Sequence, residues 1–349
     1  MNIHGAGGNP SMIVRPKSWI VSIVVSLLIG GSCPLQAQTS QLQQAASMPS
    51  HQFKAAAEQG SFEWFFLLVD AGNERGIWAR NGLDPEFVPA AGSSTQLKSL
   101  IESGIKIGFV NAAEVTLARS SGVPVKTVAA YFGETTARIF AAVNGPIKTA
   151  KDLNGKRIGV ISGTHTSYRT VLYINQKMGI TAEPVSIGTL SNNVEALKAG
   201  QIDALYSAEG AALALVDSGD LRLVLPLADI YPKPYTAVVI WATDDLIETN
   251  PDLVGKFVNA TLEIVGYLKA NPGYASQLYV QRTKAAKNVA EKAVASLNQI
   301  LAPSGRGSGN DLAAAVAGNW RFIVDSGAVP ANSVVKIEEV VETRFLPAL

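Results

Sequence analysis

Apolar positions along this chain change their period repeatedly. Between residues 85 and 131, short runs rich in apolar and β-branched residues alternate with stretches whose apolar positions recur three and four apart. The first kind suits strands and the second amphipathic helices. Residues 85–89 read as a strand. A helix opening at Gly92-Ser93-Ser94 then runs through Leu97, Leu100 and Ile101 to a stop at Gly104. Residues 105–110 are strand-like and 114–120 helical, and Gly122-Val123-Pro124 turns into a strand over 125–131. Upstream, residues 62–69 are aromatic and apolar. Leu67, Ala71, Glu74 and Trp78 share one helical face, which predicts a helix to about Asn81. Residues 51–60 carry no clear period and read as a lead-in.

The alternation then starts again. Residues 138–143 read as a strand leaving a first domain, and Asn144-Gly145-Pro146 as a turn. A strand over 157–162 meets the hydroxyl-rich loop Ser162-Gly163-Thr164-His165-Thr166-Ser167. From about Tyr168 a helix carries Val171, Ile174 and Met178 on one face and stops at Gly179. Residues 185–187, 202–206 and 221–225 are strand-like. Asn192 or Asn193 caps a helix through Val194 and Leu197, and another helix spans 211–216. Residues 236–242, Thr-Ala-Val-Val-Ile-Trp-Ala, form a strong strand that carries the chain back out. The remainder is helical around 251–270, 289–301, 312–326 and 335–345, with a flexible loop at 305–309. Strands alternating with helices of this length argue for βαβ units, an α/β fold and parallel sheets. At 349 residues the chain has room for two domains.

The amino-terminal stretch differs in kind. Arg15 and Lys17 precede an apolar run over 19–29, followed by Gly30-Gly31-Ser32-Cys33-Pro34-Leu35-Gln36-Ala37. This is the pattern of an export signal cleaved after Ala37, and the run is short for a membrane span. Met12 is a second candidate start. Cys33, the one cysteine, offers lipid anchoring as the rival to cleavage. Residues 38–51 are polar and Gln-rich, a flexible leader. Of 29 basic and 28 acidic residues, cleavage of the signal removes Arg15 and Lys17 and no acid, so the exported chain is close to neutral. With no basic stripe, nucleic-acid binding is not expected. Cleavage after Ala37 would also leave no thiol for catalysis.

Chemistry concentrates in the loop at 162–167. A strand feeding a hydroxyl-rich turn and a helix start gathers free backbone N–H groups and the positive end of a helix dipole, a ready anion site. The alternative is that Thr164, Thr166 and Ser167 merely cap the helix. His165 reads either as a general base or as a hydrogen-bonding residue. Thr164→Asp and Ser167→Asp should leave the fold nearly intact under either reading, binding the ligand normally if the residues only cap and losing it if they form the site. Walker loops, Gly-x-Ser-x-Gly elbows and paired-His metal motifs are absent, so no catalytic residue, metal or cofactor is assigned.

Two signatures recur once per half: Leu100-Ile101-Glu102-Ser103-Gly104-Ile105-Lys106-Ile107-Gly108 and Leu197-Lys198-Ala199-Gly200-Gln201-Ile202-Asp203-Ala204. Together with Arg75-Gly76-Ile77-Trp78-Ala79-Arg80-Asn81-Gly82-Leu83 and Lys151-Asp152-Leu153-Asn154-Gly155-Lys156-Arg157-Ile158-Gly159-Val160, their order resembles one family. It is that of the solute-binding proteins of nitrate, sulfonate and taurine ABC importers, which also includes thiamine-precursor binders. Lys106 departs from it, standing where the family has Asp.

The resemblance implies a two-lobed periplasmic binding protein fold of type II, each lobe a mainly parallel five-stranded sheet flanked by helices. Lobe one would comprise residues 52–142 with 240–349, and lobe two residues 143–239. It implies a periplasmic monomer that delivers a small ligand to an ABC permease; an enzyme of the same fold or a ligand sensor are the alternatives. Ligands of open α/β sheets sit beyond the carboxyl ends of strands. The candidates from lobe one are therefore Phe62, Glu63, Trp64, Gly92, Ser93, Ser94, Asn111, Glu114, Thr135 and Arg138. Those from lobe two are Ser162, Gly163, Thr164, His165, Thr166, Ser167, Asn192, Asn193, Ser207 and Glu209. Glu63, Glu114 and Glu209 are expected to be solvated or paired with Arg138 or a lysine. A pair of them facing the cleft would favour a ligand with a cationic or N–H-rich group.

Overall fold

The computed structural model describes residues 51–58, 62–90, 93–130, 133–300 and 309–346. The expected signal, the leader up to residue 50 and most of the loop expected at 305–309 lie outside them. The strands are β1 (His51–Glu58), β2 (Leu83–Ala90), β3 (Ile107–Asn111), β4 (Val125–Ala130), β5 (Arg138–Ala142), β6 (Arg157–Val160), β7 (Glu183–Ser186), β8 (Ala204–Ser207), β9 (Leu221–Pro226) and β10 (Val238–Thr243). They form two five-stranded sheets, ordered β2-β1-β3-β10-β4 and β7-β6-β8-β5-β9.

Each sheet is parallel except for one strand. In the first, β10 runs antiparallel between β3 and β4. In the second, β5 runs antiparallel between β8 and β9. These reversed strands are where the chain crosses between sheets. β5 begins with Arg138 opposite Ser207, the last residue of β8, and β10 begins with Val238 opposite Asn111, the last residue of β3. Both crossings therefore pass at the edge where the parallel strands end, and that edge is where an open α/β sheet presents a site.

The helices are α1 (Phe62–Glu74), α2 (Ile77–Arg80), α3 (Ser94–Glu102), α4 (Ala112–Ser120), α5 (Thr166–Met178), α6 (Leu190–Lys198), α7 (Ala211–Asp217), α8 (Asp244–Thr249), α9 (Pro251–Ala270), α10 (Pro272–Thr283), α11 (Lys287–Ile300), α12 (Gly309–Asp325) and α13 (Ile337–Val340). One face of the first sheet is closed by an aromatic core. Phe109 of β3 and Trp78 of α2 lie 5.2 and 5.5 Å from the Phe257 ring of α9. In the second core Tyr173, Tyr231 and Phe322 meet at 5.0–5.5 Å. Burying rings in such stacked, tilted and edge-on arrangements contributes beyond their area.

Several expectations are corrected. Residues 51–58 are not a lead-in but β1, an inner strand with Ala55 and Ala56 buried. The helix expected to run to Asn81 breaks after Glu74, because Gly76 takes a left-handed φ of 62° that restarts the chain as α2. β5, expected to leave the first domain, belongs to the second sheet, and the return strand expected from residue 236 starts at 238. The carboxyl-terminal helices do not serve the first sheet alone. Phe322 and Ile323 of α12 sit in the second core, and Asn319 donates to the Thr236 carbonyl at 2.9 Å. Gly318 lies so close to the Pro234 carbonyl oxygen that a β-carbon would overlap it. The helix expected over 335–345 is only the short α13, followed by Val341 bridging to Thr127 of β4.

Candidate functional site

The hydroxyl-rich loop is where the sequence placed it, between β6 and α5, but its side chains divide their tasks. α5 begins at Thr166 rather than Tyr168, and its cap is His165. The buried His165 ring accepts the Ser167 N–H at Nδ1, 3.0 Å away. Ser167, fully buried, accepts the Ile161 N–H at its Oγ (3.1 Å) and donates to the same Nδ1 (2.9 Å). An Nδ1 that accepts leaves the ring proton on Nε2. His165 and Ser167 thus close the β6–α5 turn. Ser162, Gly163 and Thr164 stay accessible, with the Ser162 and Thr164 hydroxyls 3.4 Å apart.

Thr166 faces elsewhere. Its hydroxyl donates to Oε1 of Glu114 at 2.6 Å, and the Arg169 guanidinium pairs with the same oxygen. Glu114 stands in the first turn of α4, whose start is set by the buried Asn111 at the end of β3. Its other oxygen accepts the Ser94 N–H at 2.9 Å, at the start of α3, beside the Ser93 side chain that caps α3 through the Gln96 N–H. A carboxylate with no exposed surface therefore joins helix starts following β2 and β3 to the first turn of the helix following β6. Arg169 is 9% exposed, and its Nε has no partner among the described residues.

The structure thus brings together Ser94, Glu114 and Thr166 of the expected set, and adds Arg169. Glu114 is held by Arg169 and not by Arg138. The Arg138 guanidinium, half-buried, donates to the Thr136 carbonyl (2.7 Å) and to Ser296 Oγ of α11 (3.1 Å), and burial pulls its pKa down. Thr135 accepts the Ala137 N–H at 3.0 Å, and Ser207 the Glu209 N–H at 3.0 Å. Both serve the crossing and the β8–α7 turn. The α6 cap is Thr189, one position before the helix, and not Asn192 or Asn193. Asn192 is exposed beside it, while buried Asn193 donates to the Gly188 and Thr189 carbonyls at 2.9 Å. Backbone alone is described for Phe62, Glu63 and Trp64, which open α1 after β1; Gly92 lies outside the described residues.

Behind the Glu114 cluster, Thr170 and Tyr231 share a hydrogen bond at 2.5 Å, and burial pushes the Tyr231 and Tyr235 phenols far above their ordinary range. A cavity of about 780 Å³ between α10 and α11, lined by Ser276, Val280, Lys287, Glu291 and Val294 among others, contains none of the expected residues. Among the described residues no three His, Cys, Asp or Glu side chains gather to hold a metal ion, and no helix is long and apolar enough to cross a membrane.

A family model described as NMT1/THI5 like matches residues 66–275. The riboflavin-binding protein RibY of Chloroflexus aurantiacus is 28% identical over 181 residues, which is 51% of this chain and 51% of that protein. The match thus spans about half of each. Two solved structures are similar in fold. The alkanesulfonate-binding protein SsuA from Xanthomonas axonopodis pv. citri bound to MOPS has a TM-score of 0.70 at 15% identity, covering 85% of this chain and 99% of that one. The aliphatic sulphonate binding protein SsuA from Escherichia coli has a TM-score of 0.63 at 17% identity, covering 80% and 94%.

Proposed function

Because this chain belongs to the NMT1/THI5-like family, we propose that it is an extracytoplasmic solute-binding protein. On this reading it captures a small anionic or zwitterionic ligand between its two sheets and delivers it to an ABC importer. The observation that carries the reading is the convergence on one cluster. Residues that follow β2, β3 and β6, all on the carboxyl edges of their sheets, meet at Glu114, Thr166 and Arg169. Two sheets linked by crossings at those edges can hold between them a cleft that opens and closes, the arrangement used for ligand capture.

Ser162, Thr164 and Ser94 are placed to contribute hydroxyls around that cluster, with Glu63, Trp64 and Asn192 at neighbouring positions on the same edges. The SsuA structures support a sulfonate-like ligand, and the RibY match widens the screen to flavins. His165, on which an enzymatic reading would rest, is committed to capping α5. Export to the periplasm through the amino-terminal signal, and cleavage after Ala37, complete the proposal; the mass of the exported protein tests them.

Thermal-shift measurement of the purified protein with methanesulfonate, taurine, nitrate, pyrimidines and riboflavin tests the function. A solute at about a hundred times its Kd adds roughly 2.7 kcal/mol of stability and moves Tm by several degrees. Small-angle scattering should then show compaction with that solute. A flat screen, or an unchanged radius of gyration at saturation, would overturn the reading.

A further inference from the structure

The first turn of α5 is met by a negative charge, and that charge comes from the other sheet. Glu114 has no exposed surface and accepts from the Thr166 hydroxyl and from Arg169, both in the first turn of α5. It is also tied to its own side by the Ser94 N–H. Arg169 is nine-tenths buried, donates through Nη1 to the Thr164 carbonyl at 3.4 Å, and retains an Nε with no partner among the described residues. Two opposite charges therefore face each other across the two sheets, one anchored to each, with a donor to spare on the cation.

Resting on the reading of this protein as a cleft binder, we infer that this ion pair is the recognition site for a zwitterion, which inserts between its two members. The ligand's anionic group takes the place of the Glu114 carboxylate on Thr166 and Arg169. Its cationic group pairs with Glu114. The exchange conserves charge at every step. In the ligand-free closed protein each buried ion neutralises the other; in the open form both return to water; in the complex each meets its complement on the ligand. A plain anion of the same size would displace Glu114 from Arg169 and set two negative charges side by side, an expensive arrangement in a desolvated site. A neutral solute would have to break the pair and return nothing to it.

Isothermal titration of the full exported protein with two matched pairs of probes, taurine against ethanesulfonate and β-alanine against propionate, tests this. Within each pair the members differ mainly by an ammonium group. The wild type should bind the zwitterion of at least one pair about tenfold or more tightly than its plain anion, the worth of one charged hydrogen bond. Glu114→Gln should reverse that preference, weakening the zwitterion and strengthening the anion, because Arg169 then lacks a counter-charge. Thr166→Val keeps size and the ion pair and should weaken the zwitterion severalfold, so the test survives poor folding of the Glu114 variant. An unchanged preference in Glu114→Gln, or unchanged zwitterion affinity in Thr166→Val, would overturn the inference. So would binding of riboflavin, or of another solute of the thermal screen, while all four probes fail to bind; the cleft-binder reading would then stand. No binding by any solute removes both.

Discussion

Replacing Ser167 by alanine removes one oxygen that serves two partners. Ser167 Oγ accepts the Ile161 N–H at 3.1 Å and donates to Nδ1 of His165 at 2.9 Å, at a position with no exposed surface. The substitution leaves a backbone donor at the end of β6 without its acceptor. Water cannot replace it without opening the turn. A buried donor left unpaired costs about 1–3 kcal/mol. For a protein of this size each kcal/mol lowers Tm by roughly 2 °C. Ser167→Ala should therefore melt roughly 2–6 °C below the wild type by differential scanning calorimetry. Ser167→Asp should fall further, since a carboxylate placed there is buried. Complementing the helix dipole returns only about 0.3–1 kcal/mol, against several kcal/mol for desolvating the charge. This corrects the expectation that an acid at 167 leaves the fold intact. Thr164→Asp, on the exposed part of the same loop, should melt with the wild type. If Ser167→Ala also melts with the wild type, the oxygen is not structural, and assigning Ser167 to the turn rather than to a ligand is wrong.

Gly318→Ala should lower Tm clearly, because its β-carbon meets the Pro234 carbonyl rather than a yielding side chain; a Tm within a degree of wild type would show that α12 is free to shift. Tyr231→Phe removes the hydrogen bond to Thr170 from a packed aromatic cluster and should cost about 0.5–1.5 kcal/mol in chemical denaturation, an effect that Thr170→Val should share rather than add to. Asp203 is held below the ordinary carboxylate range by hydrogen bonds from Arg157. A lowered folded-state pKa contributes stability above the unfolded value of 3.8 that is lost as pH falls through the folded one. Asp203→Asn should accordingly lower Tm at neutral pH and differ progressively less from wild type as the pH falls below about 3.8; a deficit independent of pH would refute the ion-pair origin. The pair is partly exposed, so about 1 kcal/mol or less is at stake.

The alternation of strands and helices was legible because each element repeats its apolar period over a full turn or pleat. β1 was not, because His-Gln-Phe-Lys-Ala-Ala-Ala-Glu lacks β-branched residues. It becomes a strand by pairing with β2 and β3 on either side, and small Ala56 lies close against Gly108 of β3. β5 was recognised as a strand but given to the wrong sheet, since a local pattern carries no record of which distant strand will be its neighbour. In the site, the loop at 162–167 was visible from its hydroxyls and its place before a helix. Arg169 was missed: it lies off the Val171–Ile174–Met178 face, and the carboxylate that gives it meaning belongs to another sheet. Lys106, the departure from the family pattern, pairs with Asp245 at the start of α8, which accounts for it without a role in binding.

The reversed strand β10 has a consequence for the order in which the molecule is assembled. It is inserted between β3 and β4, yet the whole second sheet separates it from β4 in the chain. Were that intervening segment still unfolded, bringing β10 home would mean closing a loop of about 100 residues, an entropic cost on the order of 4 kcal/mol. Once the second sheet has formed, the closure is nearly complete, because Arg138 and Pro226, at the segment's two ends, are paired partners on β5 and β9. Completion of the first sheet should thus wait on the second, and pulsed hydrogen exchange during refolding should find the Phe140 and Leu205 amides protected before that of Ile240. The half of the protein that arrives in the middle of the chain is the half that lets the beginning and the end find each other.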